Sequence, residues 1–319
     1  MDWIVPMEPL LTPSVPDGED YVHQVKWDGI RGLCYIKEGG VRVFTKKGRD
    51  RTLFYPELAE LPGLLKGESA VLDGEIIILN NEMKPTFQLS LIRERVTTPA
   101  KVSHYARKYP IQYIVFDLMA LNGEPLIHKP LKERSILLRE HVKTGSFTAV
   151  TDDFDNGSEL FLLMKEKGWE GIVSKKKNSL YLPGKTHHDW FKTKLFRRIL
   201  SIVAGVTLRE GYPNALVLAI LGAEGLVFIG KASIGLTQQH FKLLKDNISI
   251  LKSDPPSIEK TPLFTANARE LRDVVWFKPQ LTVWVSFLEW TSDGGIRHPK
   301  ILGFTSSGIE EANGKEYVE

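Results

Sequence analysis

The stretch Lys26-Trp27-Asp28-Gly29-Ile30-Arg31 follows Tyr21-Val22-His23-Gln24-Val25. That alternation of β-branched, aromatic and polar residues predicts a strand ending at Lys26. Asp28-Gly29 is a turn signal, and Leu33-Cys34-Tyr35-Ile36 predicts the next strand. A lysine on a rigid strand end beside a turn is held in place while its amine faces a cleft, as a nucleophile requires. An ordinary hairpin with solvated charges would carry the same residues. The segments that follow along the chain decide between the two.

Working outward, residues 41–45 predict a strand closed by a Lys46-Lys47-Gly48 turn, and residues 56–61 a short helix. Residues 70–79 predict a strand pair or one bent strand, and residues 111–118 a strong strand. Residues 132–143 have helical spacing, and Ser158 is the expected N-cap of a helix running to about Lys167, with Gly168 at its end. Residues 171–174 return to strand. Strands and helices mixed without strict βαβ alternation imply an α+β domain with a largely antiparallel sheet. The composition changes near Arg197. Beyond it lie strand-rich segments at 199–221 and 226–229, and a helix capped by Thr237 through about Asn247. A surface loop is expected at 253–262, then strands near 274–277 and 281–290. Five short strands with one helix fit a small oligonucleotide-binding (OB-fold) β-barrel. The expected domains are 1–196 and 197–319.

A chain of 319 residues is long for one core, which agrees with two domains. No apolar run approaches the roughly 20 residues of a membrane span, and residues 1–16 are acidic and proline-rich, unlike a secretory signal. Cys34 alone supports neither an internal disulfide framework nor a cysteine-based zinc site, and its strand context favours burial over reactivity. A cytoplasmic protein without membrane contact is the default. The net charge of +3 is too small to argue for nucleic acid. Clustering says more: Lys46, Lys47, Arg49 and Arg51, then Lys175 to Lys177, then Lys192, Lys194, Arg197 and Arg198 adjoin candidate catalytic segments and could track a phosphate backbone.

Seven segments occur in order. They are Lys26-x-Asp28-Gly29-x-Arg31, Thr45-Lys46-Lys47-Gly48-Arg49, Leu72-Asp73-Gly74-Glu75, Tyr113-Ile114-Val115-Phe116-Asp117, Glu170-Gly171-Ile172-Val173-Ser174-Lys175, Trp190-Phe191-Lys192-Thr193-Lys194 and Arg297-His298-Pro299-Lys300-Ile301-Leu302-Gly303. This set resembles the covalent nucleotidyltransferases and, among them, the ATP-dependent DNA ligases. The likeness is strongest to the ligase domain of bacterial non-homologous end-joining ligases, and it runs from Pro6-Met7 to Phe304. Tyr55-Pro56-Glu57-Leu58, Tyr181-Leu182-Pro183-Gly184 and the tract 284–303 support that narrower likeness. The resemblance implies an ATP-grasp-like adenylation domain with antiparallel sheets, followed by the OB-fold domain.

It also implies roles. Lys26 would attack the α-phosphorus of ATP and carry AMP covalently. Lys192 and Lys194 would grip the α-phosphate. Glu170 and Glu75 would hold Mg²⁺, with Mn²⁺ as a substitute, and Arg31 and Glu75 would bind the ribose. Phe116 would stack on adenine, whose amino group Gln24 and the Val25 backbone would read. Lys46 would contact nucleotide or 5′-phosphate, and Arg297 the ATP tail. Lysine 26 would need its pKa, ordinarily about 10.4, depressed by Lys192, Lys194 and the metal. The implied partners are nicked or broken duplex DNA and a Ku-type end-binding protein, with the ligase acting as a monomer.

Several residues have simpler readings. Phe116 could be core, Glu75 and Glu170 surface carboxylates, and Lys175 to Lys177 a solubilised strand end. Trp190 is expected to pack. His187 and His188 are not spaced like a metal pair on one face. Lys46 stands where relatives often carry arginine, which keeps the charge but loses the bidentate fork. Gln24 stands for a frequent glutamate, and Lys185 for a frequent arginine. Two other functions compete: an RNA ligase or capping guanylyltransferase, which shares the lysine chemistry but is opposed by residues 297–303, and a catalytically silent nucleic-acid-binding module, opposed by the presence of Lys26, Glu75, Glu170, Lys192 and Lys194 together.

Overall fold

The computed structural model describes residues 3–318, the last by its backbone only, and the ends of the two expected domains at Met1, Asp2 and Glu319 lie outside them. It divides into two compact units, Met1–Lys194 and Leu195–Glu319.

The first unit contains β1 (Glu8–Leu11), β2 (Tyr21–Val25), β3 (Ile30–Lys37), β4 (Gly40–Thr45), β5 (Ser69–Ile77), β6 (Gln112–Leu121), β7 (Glu124–Pro125), β8 (Thr148–Val150), β9 (Gly171–Lys176) and β10 (Thr186–Lys194). They form two sheets, one in the order β1-β10-β9-β2, the other β4-β3-β5-β6-β7 with β8 against β6. The pairs β1–β10 and β6–β8 are parallel, and the others are antiparallel. Central strands β5 and β6 are buried almost throughout, because both faces are covered. Leu72, Ile76, Tyr113, Val115 and Leu118 fill one core. The alternate residues Val71, Met119 and Ala120 meet Leu33, Tyr181 and Trp190 in a second. Cys34 is buried, and burial pushes its thiol up to about 12, so it serves packing.

Buried charges tie the helices to these sheets. Arg134 meets Asp117 through two hydrogen bonds of 2.7 and 2.8 Å and donates to the carbonyls of Lys129 and Ser179. Arg93, in the helix Phe87–Glu94, forks onto Glu57 in the 3₁₀ turn Pro56–Glu60. The helix Gly157–Lys167 is capped by Asn156, which accepts from the Glu159 N–H, and not by the expected Ser158. Asn156 is the extended residue, so its side chain can turn back onto the first turn.

Strands β2 and β3 do not pair as the simpler hairpin alternative would have them, because they belong to different sheets. Residues 26–29 are the crossover between them. A Cβ at Gly29 would strike the Ile76 carbonyl of β5, so the close passage of the chain, and not a two-residue turn, is what requires glycine.

In the second unit β11 (Arg197–Arg209), β12 (Tyr212–Leu221), β13 (Leu226–Ala232), β14 (Val274–Trp276), β15 (Thr282–Phe287), β16 (Lys300–Thr305) and β17 (Glu316–Val318) form one antiparallel sheet in the order β13-β12-β11-β15-β16. The long strand β11 also pairs with β14 and β17. Ile296 and Ile301 donate to the carbonyls of Ile229 and Ile234, which draws the two ends of the sheet together without a closing ladder. Thr237 caps the helix Gln238–Leu251 as expected, but the helix outruns Asn247. A second helix, Pro262–Asn267, starts where a loop was expected to end, with Thr261 as N-cap and proline in its first turn.

Candidate active site

Strand register assembles the centre of a cavity of about 710 Å³ in the first unit. Lys26 follows β2, and its N–H donates to the Gly171 carbonyl at 2.9 Å. On the next strand, Gly171 pairs with Lys194 of β10, while Ile172 pairs with Val25 of β2. Glu170, the residue before β9, thus lies between two lysines brought from separate strands. Its Oε2 accepts from Lys26 Nζ at 2.6 Å, and its Oε1 lies 2.8 Å from Lys194 Nζ. Gly171 permits this approach: its φ is 133°, and a Cβ there would collide with the Thr193 carbonyl.

Burial pulls the charged form of Lys26 down, but the carboxylates of Glu170 and Glu75 outweigh it and leave the ammonium above its ordinary range. This is the reverse of the expected depression. Of the lysines expected to lower it, Lys194 is itself engaged with Glu170. Glu170 is pushed up by burial and pulled further down by Lys26 and Lys194, so it stays ionised. Burial drives Glu75 up to about 8 against the pull of Lys26 and Arg31. Lys192, half-buried, is lowered by burial, then by Lys194 and Lys26.

Gln24, Arg31, Phe116 and Lys175 also line this cavity. Gln24 is buried and donates its Nε2 to Asp153 at 2.6 Å, which leaves its carbonyl as the acceptor available to an amino group. Phe116 is half-buried on the cavity wall. The Arg31 guanidinium lies 4.6 Å from its ring centroid, and so does Lys175 Nζ. Arg31 stands opposite Glu75 in the β3–β5 ladder, but its guanidinium is forked onto Asp73, with both contacts at 2.5 Å. Tyr181 holds the same carboxylate through its hydroxyl at 2.6 Å.

At the mouth, Lys46 pairs with Glu8 at 2.6 Å, and Arg49 lies 3.8 Å from Glu94. Glu8, Glu94, Lys46, Arg49 and Lys192 all line the cavity. In the second unit, Arg297 pairs with Glu289 at 2.7 Å.

Thus Gln24, Val25, Lys26, Arg31, Lys46, Glu75, Phe116 and Lys192 line one cavity, and Glu170 and Lys194 join it through Lys26. Sequence reasoning missed four participants. Asp73 and Asp153 orient Arg31 and Gln24. Glu8 neutralises Lys46. Lys175, expected either in a phosphate-tracking run or as a solubilised strand end, is buried beneath Phe116 and Trp190, and that burial pulls it down to about 8. Strand alternation from Val173 was the available signal for Lys175. Nothing in the sequence marked Asp153 or Glu8.

Two family models match the chain. The ATP dependent DNA ligase domain covers residues 14–194, and the ATP dependent DNA ligase C terminal region covers residues 209–306. Among curated proteins, the multifunctional non-homologous end joining protein LigD of Mycobacterium bovis is 29% identical over 282 residues, covering 87% of this chain and 35% of that protein. The corresponding protein of Mycolicibacterium smegmatis is 30% identical over 89% of this chain and 36% of its own length. The chain therefore spans about a third of the length of these relatives. Among solved structures, mycobacterial DNA ligase D complexed with ATP and MES superposes with a TM-score of 0.55 at 27% identity, over 97% of each chain.

Proposed function

Because the chain belongs to the ATP-dependent DNA ligase family, we propose that it seals 5′-phosphate/3′-hydroxyl nicks, and paired ends of broken duplexes, through a lysyl-AMP and an adenylated DNA. The observation that carries this reading is the Lys26–Glu170–Lys194 chain, set by strand register at a cavity that Lys26, Gln24 and Phe116 line together.

In the first step Lys26 gives up its proton and its Nζ lone pair attacks the α-phosphorus of ATP. The N–P bond forms as the bond to pyrophosphate breaks. In the second, an oxygen of the DNA 5′-phosphate attacks the same phosphorus, the N–P bond breaks, and Lys26 regains a proton. In the third, the 3′-hydroxyl attacks the 5′-phosphorus and AMP leaves. Each step moves negative charge over phosphoryl oxygens, so positioning and cations carry the catalysis. Lys192 and Lys194 are assigned to the α-phosphate, Lys46 to the phosphate at the mouth, and Arg297 to the ATP tail in the first step. Gln24 and the Val25 backbone read adenine, Phe116 supports its ring, and Arg31 and Glu75 face the ribose.

The donor set fits a hard divalent cation: Glu75 and Glu170 offer carboxylate oxygens, and Glu75 held up to about 8 is a carboxylate short of positive charge. Mg²⁺, or Mn²⁺ in its place, would neutralise phosphate charge there and ease proton loss from Lys26. The end-joining role rests on the names of the relatives, and a Ku-type partner on the resemblance to end-joining ligases.

Incubating the protein with Mg²⁺ and α-labelled ATP tests the reading. Label should appear on the denatured chain, be lost in Lys26→Ala, and discharge on nicked DNA with a sealed product. Label from GTP would point to capping chemistry. No label, in protein free of pre-bound AMP, would overturn the reading.

A further inference from the structure

Strand β10 breaks register against β1. Pro9 lies opposite His187, yet Leu10, the next residue, lies opposite Phe191. His188, Asp189 and Trp190 are therefore looped out of that ladder. The bulge is fastened on both sides: Glu8 N–H donates to the Lys185 carbonyl at 2.9 Å and Thr12 N–H to the Lys192 carbonyl at 3.0 Å. Trp190 anchors its far end in the core, bonded to Ser179 Oγ at 3.1 Å and edge-on to Tyr181.

In a regular strand His187 and His188 would face opposite ways, the arrangement expected from sequence. The bulge abolishes that alternation. The two imidazole centroids are 4.0 Å apart. One donor atom from each of His187, His188 and Asp189 lies within 4.8 Å of the other two. Asp189 is itself oriented: Lys176 Nζ holds its Oδ1 at 2.9 Å, which turns Oδ2 toward His187 Nδ1 at 3.1 Å.

We propose that His187, His188 and Asp189 form a binding site for a zinc-class transition-metal ion, separate from the nucleotide cavity. Two imidazoles and a carboxylate, with a water in the fourth position, are a donor set suited to tetrahedral Zn²⁺. Bonds of about 2.0–2.2 Å place tetrahedral ligands about 3.4 Å apart, so the donor atoms, within 4.8 Å of one another, need close by at most about 1.4 Å. His188 is exposed and His187 half-buried, and side-chain rotation suffices for that movement. Lys176 supplies the supporting contact that orients a ligating carboxylate. Mg²⁺ prefers an all-oxygen shell, so the site discriminates against the ion that Glu75 and Glu170 fit. The same strand carries Lys192 and Lys194, and a bound ion would stiffen it just ahead of them. The site does not depend on the ligase reading.

Equilibrium dialysis of the full chain against micromolar Zn²⁺ in millimolar Mg²⁺, followed by metal analysis, tests it. Wild type should retain about one zinc per chain, with a rise in Tm of a few degrees, and Co²⁺ should give visible d–d absorption. His188→Ala and Asp189→Asn should lose all three effects. His188 is exposed, so a melt of its variant in chelator should match wild type. Glu170→Gln should keep the zinc. No zinc on wild type, equal zinc on wild type and both variants, or loss in Glu170→Gln would each overturn the proposal.

Discussion

Lys26 Nζ lies 2.6 Å from Glu170, within reach of the Glu75 charge as well, and its proton is therefore held firmly. A nucleophilic amine must shed that proton first, so the reactive fraction grows tenfold per pH unit below its pKa. Single-turnover formation of lysyl-AMP is accordingly expected to rise about tenfold per unit from about pH 6.5 to about pH 8.5 at saturating ATP and Mg²⁺. A flat profile over that interval would show that the bound nucleotide and metal reverse the bias completely. At this scale the sequence was most legible where the chemistry needs a fixed residue type at a fixed spacing. Lys26, Glu170, Lys192 and Lys194 were all named from their segments. Illegible were the groups that orient them: Asp153 on Gln24, Asp73 and Tyr181 on Arg31, Glu8 on Lys46. These partners come from distant positions, and only folding brings them near.

Among the elements, the junction of β9 and β10 has the least tolerance. Gly171 takes a φ of 133° and has the Thr193 carbonyl where a Cβ would stand, so any side chain must push β10 away or twist Glu170 out of line. Gly171→Ala is expected to cost about 1–3 kcal/mol of stability from backbone strain alone. Displacing Glu170 and Lys194 by about 1 Å should cut lysyl-AMP formation about 10²-fold. Thermal melts and the same labelling assay check both, and a variant with wild-type rate would show that the strands accommodate the methyl group. The turn signal at residues 28–29 left a hairpin as the simpler alternative, because such a signal does not say which sheet receives the next strand. The helix Pro262–Asn267 was missed because it is too short for periodicity to show, although Thr261-Pro262 is a legible start.

Across the whole molecule, each unit has its own apolar cores, Leu72, Tyr113 and Val115 in one, Ile199, Val203 and Phe287 in the other. Chain length and the composition change near Arg197 underlie the expected division at 196/197, and the compact units part between Lys194 and Leu195. The open ends of the second sheet were not readable, because strand number does not fix whether a barrel closes. The proposed division of labour puts the nucleotide cavity on the first unit and one reagent, Arg297, on the second. Its guanidinium is held against Glu289 at 2.7 Å, so its charge is positioned by its own unit. If it serves the ATP tail, it matters while pyrophosphate is leaving and not afterwards. Arg297→Ala should therefore slow lysyl-AMP formation by about 10²-fold, the usual cost of one lost charge-stabilising donor. It should seal a pre-adenylated nick within a few-fold of wild type. Rates of the two reactions, measured on the same preparation, separate the alternatives: equal losses in both would assign Arg297 to the DNA or to the fold of the second unit.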